Sequence, residues 1–209
     1  KKKPVSAADN KAIAAPIFEG TLNWARDLSG KPVPLETLEK EAATMTAEQK
    51  AQRLLRAGEI DPGMLKGWQG MPLESYEKAV NTRYESRILK PGVAWTDAEL
   101  KSQWNLNDHQ VALYREYRAA VDRSIDTTTR ADILRFGGKQ LEPLRAMVMD
   151  AANMDDALQL VESAARAEMA ADPDSAQAWG DVMQGAVERV ERARELQKRG
   201  YAPLQRFGE

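Results

Sequence analysis

Apolar residues recur at helical spacing along most of this chain, and polar capping residues mark where each run begins. Tyr76, Val80, Tyr84, Ile88 and Leu89 form one face of a helix over residues 73–89. Val111, Tyr114, Tyr117, Val121, Ile125 and Thr128 draw an apolar line along a long helix extending to about Phe136, where Gly137 and Gly138 break it. Met154, Ala157, Leu158, Val161, Ala164, Ala165 and Met169 make an inner face, and so do Trp179, Val182, Met183, Ala186, Val187, Val190 and Ala193. A shorter helix is expected over residues 140–151, with Pro143 in its first turn.

The start signals are local and specific. Thr46 with Gln49, Thr96 with Glu99 and Asn107 with Gln110 have the spacing of capping boxes, in which two backbone N–H groups are satisfied reciprocally. Asp61 precedes Pro62 as cap and first helical residue, and Asn153 caps a helix whose first turn carries Asp155 and Asp156. Gly58 and Gly200 suit the left-handed position past a helix end, with Tyr201 folding back on Leu196 after the second. Residues 1–34 read as a basic arm with a short helix over residues 21–28, kept extended afterwards by Pro32 and Pro34. No run shows sustained two-residue alternation. The expected fold is all-α: an irregular multi-helix bundle over residues 35–200 with one long central helix, an extended C-terminal tail over residues 201–209, and no sheet.

Composition narrows the functional classes. A net charge of −2 gives no basic excess for wrapping duplex nucleic acid, so nucleic-acid binding is not predicted from charge. The absence of cysteine excludes disulfides, thiolate metal sites and a cysteine nucleophile. No apolar run approaches the roughly 20 residues that span a bilayer. The chain starts at Lys1 with no readable signal peptide, as expected of a fragment or processed product of something longer.

No motif carries catalysis. His109, the single histidine, has no second ligand or nucleophile at a matching spacing and reads as a surface residue at a helix start. Asp172-Pro173-Asp174 fails as a calcium loop because Ala176 and Gln177 stand where Asp or Asn and Gly are needed; helix capping explains it. Gly138-Lys139 fails as a phosphate loop because Ile133 occupies the position of the first glycine. Neither enzyme activity, nor a cofactor, nor a metal is expected. Arg115, Arg118 and Arg123, with Tyr114 and Tyr117 beside them, form a pattern suited to single-stranded nucleic acid, but the tyrosines fall on the apolar line, which favours core packing. The five tryptophans are scattered, one per helical region, as in a core.

The terminal stretch Pro203-Leu204-Gln205-Arg206-Phe207-Gly208 resembles the Pro-Leu-x-Arg-Phe-Gly signature of a domain in very large phage and mobile-element (polyvalent) proteins. Leu89-Lys90-Pro91-Gly92, Trp95-Thr96-Asp97-Ala98-Glu99-Leu100 and the stretch from Leu113 to Ser124 are similar to the helical region preceding that signature, so the likeness covers residues 70–209. Members of that family join many unrelated domains, and some are packaged in phage heads and ejected with the genome. The resemblance implies a non-enzymatic helical segment of an internal virion protein, located in the virion interior and then in the host cell. Its partners would be sibling subunits or other ejection proteins, with oligomers expected. An accessory domain of a giant virion enzyme, such as a virion RNA polymerase, and a single-strand nucleic-acid binder are the alternatives. Within the signature, Pro203 and Gly208 bracket an extended segment, Leu204 and Phe207 are its apolar anchors, and Arg206 is its donor to carboxylates or carbonyls.

Overall fold

The computed structural model describes residues 5–202. They form ten α-helices and one two-stranded sheet, an essentially all-α fold. The chain divides into two compact units between Leu106 and Asn107, where a single bundle over residues 35–200 was expected.

In the first unit, α1 (Ala7–Leu22) is followed by strands β1 (Trp24–Arg26) and β2 (Pro32–Pro34), then by α2 (Leu35–Ala43), α3 (Ala47–Arg56), α4 (Pro62–Gln69), α5 (Leu73–Arg87) and α6 (Asp97–Trp104). The amino-terminal region is where expectation and structure part. Ser6 caps α1 in a full capping box with Asp9, and the helix runs through Pro16. The helix expected over residues 21–28 is replaced by an antiparallel hairpin with Ala25 opposite Val33. Its turn is organised by Asp27, whose carboxylate accepts from the N–H groups of Ser29 and Lys31 and from the Ser29 hydroxyl, an Asx-type arrangement that competes with helix. Prolines at both ends of β2 fix φ in a range that strands accept.

Trp95 ties these amino-terminal elements to the segment before α6. Its indole N–H donates to the Pro16 carbonyl at 2.9 Å. A Cβ at Gly20 would collide with the same indole, so α1 approaches it at the one residue without a side chain. The backbone completes the contact, Val93 N–H donating to Gly20 and Gly92 N–H to Trp24. Trp24, Trp95 and Trp104 then gather, with centroid distances of 5.2, 5.3 and 6.1 Å and edge or tilted geometry. The expectation of scattered tryptophans is thus corrected: residues 80 apart in sequence form one cluster. A second apolar centre lies between α3, α4 and α5, where Leu54, Val80 and Tyr84 are fully buried.

The second unit contains α7 (Asp108–Gly137), α8 (Arg145–Asp150), α9 (Met154–Ala171) and α10 (Ala176–Lys198). The helix expected over residues 140–151 is broken into two 3-10 turns and the short α8. Pro143 opens the second of those turns, and Leu141 is buried against Gly137. Helix α10 packs on both α7 and α9 around Ile133, Val148, Val161, Ala165 and Val190. Every capping box named above forms, and Asp172 caps its 3-10 turn as expected. Gly200, at φ 64°, closes α10 with the paired bonds Tyr201 N–H to Leu196 and Gly200 N–H to Gln197, a Schellman stop.

Arg26 on β1 donates to both carboxylate oxygens of Glu99 at 2.8 and 2.9 Å, and to the carbonyls of Ala94 and Gly30. Glu99 also accepts from Thr96 N–H, so one carboxylate closes the α6 cap and anchors the hairpin. The Arg26 hydrogen bonds hold Glu99 below its ordinary value of 4.5 against the opposing effect of burial. A depressed carboxylate contributes stability above its unfolded pKa, and that contribution is lost as pH falls through the folded value. Glu99→Gln is therefore expected to lower Tm at pH 7, with the difference from the parent shrinking as pH is taken below about 4.5. Thermal unfolding followed from pH 7 to 3 checks this.

Candidate functional site

Helices α7 and α10 run antiparallel, and polar or aromatic contacts fix them at both ends. At one end the Phe136 ring lies against Gly185, where a Cβ would occupy the space of the ring. The Arg189 guanidinium stacks over that ring at 3.9 Å while donating to the Gly185 carbonyl. At the other end Gln197 donates to the Asp122 carbonyl, and Arg118 donates to the Tyr201 carbonyl and pairs with Asp122 at 2.8 Å.

Between these ends lies a groove of about 950 Å³. Its floor includes Ala120, Val121, Ile125, Ala193 and Leu196; Tyr117 and Tyr201 stand at one end, and Asp132, Arg135, Glu188, Arg189 and Arg192 form a charged rim towards the other. Burial pushes the Tyr117 hydroxyl above its ordinary value of 10.0, so it is a neutral donor at any physiological pH. An apolar floor of small side chains with charges of both signs along its edges can hold an extended or helical segment bearing apolar anchors. Among the described residues no group of three or more His, Cys, Asp or Glu side chains is placed to hold a metal.

The three arginines singled out in the sequence do not act together. Arg118 is only 8% exposed and its guanidinium is committed to the end of α10. Arg115 and Arg123 are exposed on α7. The apolar line of α7 is displaced by one position from the expected one in two places: Arg118 and Thr129 are buried, whereas Thr128 is exposed. His109 lies half-buried in the first turn of α7. The tail residues Pro203, Leu204, Arg206, Phe207 and Gly208 lie outside the described residues.

Sequence reasoning passed over Gly185, Phe136 and Arg189. The available signal was the glycine: inside a helix it costs about 1 kcal/mol relative to alanine, which points to a close approach. Likewise, nothing local announces Arg130, which donates to the Met149 and Ala151 carbonyls and pairs with Asp126, whose other oxygen accepts the first N–H of α9.

No protein-family model, curated protein or solved structure matches the chain in comparisons with known proteins.

Arg118→Met is expected to destabilise the protein by about 1–3 kcal/mol, because the Tyr201 carbonyl loses a buried donor. Arg123→Ala, at an exposed position, should change stability by no more than about 0.5 kcal/mol. Urea unfolding of both variants makes the comparison; equal, small effects would return Arg118 to the surface role.

Proposed function

We propose that this chain is a helical interaction module acting by structural and assembly contacts, as a segment of a large phage internal virion protein delivered with the genome. The observation that carries the interaction reading is the α7–α10 groove, whose apolar floor and mixed-charge rim suit a protein segment. The parent protein is supported by the resemblance of residues 203–208 to the Pro-Leu-x-Arg-Phe-Gly signature and of residues 88–125 to the helical region before it. The nucleic-acid alternative loses Arg118, which is engaged within its own unit.

The test is peptide mapping of purified virions before and after genome release. Peptides from residues 5–202 should be present within one longer polypeptide in filled particles and depleted from emptied ones. Their absence from filled particles would remove the virion reading.

A further inference from the structure

Helix α1, in the first unit, carries an uncovered ridge. Lys11, Ala15, Phe18 and Leu22 follow one another at spacings of four, three and four residues, which places them along one side of the helix. All four are exposed, Phe18 to 50% and Leu22 to 49%. Two large apolar side chains one turn apart make a ridge of the kind that enters a groove between helices. The α7 wall of the groove has the same spacing in Tyr117, Val121, Ser124 and Thr128. In a single chain the ridge is exposed and the groove is open.

We infer that the occupant of the α7–α10 groove is helix α1 of a second copy of this chain. This rests on the reading of the groove as a docking surface and names what fills it. The Phe18 ring enters where the small side chains of Ala120, Ser124 and Ala193 leave space between the helices, and Leu22 lies one turn further along, towards Tyr117. Charge fixes the direction. Lys11 is about 10 Å from Phe18 along α1, and Asp132 is about 12 Å from Ser124 along α7. With Phe18 level with Ser124 and α1 antiparallel to α7, Lys11 comes level with Asp132 and Glu188, the acidic residues of the rim. In the reverse direction Lys11 would face the Tyr117 end, where, among the described residues, no carboxylate lines the groove. The contact joins unlike surfaces. Each added copy therefore brings a new free ridge or groove, and association continues into a ring or an open chain.

Sedimentation equilibrium of the full chain tests this by complementation. Phe18→Ser with Leu22→Ser removes the ridge and leaves the groove. Ser124→Trp, at an exposed groove position, fills the groove and leaves the ridge. The parent should self-associate as its concentration rises, and each variant should weaken that association about tenfold or more. An equal mixture of the two variants should form dimers and nothing larger, because one intact ridge and one intact groove remain to pair. Lys11→Glu, which leaves Phe18 and Leu22 in place, should weaken association, and adding Glu188→Lys should restore it. A parent that stays monomeric up to about 1 mM overturns the inference, whether the groove is empty or filled from within its own chain. So does an associating parent that neither variant affects. So does one whose two variants fail to complement each other, which assigns the contact to like surfaces. The virion mapping is independent of all these results, so failure of this contact and failure of the virion reading are told apart.

Discussion

The antiparallel pairing of α7 with α10 is the constraint on which the second unit depends. A helix of 30 residues, about 45 Å long, draws most of its stability in a folded protein from packing along its length. It finds this on α10 and, over its carboxyl-terminal half, on the core around Ile133 and Leu134. The pair is fixed by Phe136 on Gly185 at one end and by Arg118 and Gln197 at the other. Such end-to-end fixing leaves the strip between Tyr117 and Thr128 as a groove bordered by the two helices.

The first unit follows a different logic. Its amino-terminal helix and hairpin are joined to the segment before α6 and to α6 itself by the tryptophan cluster and by one ion pair. Trp95 fills the space left by Gly20 and binds the Pro16 carbonyl, and Arg26 bridges the hairpin to the cap of α6 through Glu99. Both interactions join residues about 70 to 80 positions apart. Shape complementarity and hydrogen bonding act together here, each making the other's partner immobile.

Helix starts and stops were legible in the sequence because caps are local chemistry. Thr46, Thr96, Asn107, Asn153 and Gly200 each act within a few residues, and each forms as its spacing predicts. The hairpin at Trp24–Arg26, the tryptophan cluster and the buried Arg118 were not legible, since each depends on a partner brought close only by the fold. Pro16 hid α1, because a proline inside an apolar run argues for interruption, while the Ser6–Asp9 box that starts the helix carried the opposite message. Of the groove, the apolar positions Val121, Ile125 and Ala193 stood on expected faces, but their shared surface emerged only from the antiparallel register of the two helices.

Native-state hydrogen exchange of the full chain tests the central claim, that α7 and α10 form one pinned pair with a preformed groove between them. Amides of α7 around Val121–Leu134 and of α10 around Gly185–Leu196 should open together, with a common free energy and a common response to urea. Loss of protection along α10 while α7 stays protected would show two independent helices and would contradict the account.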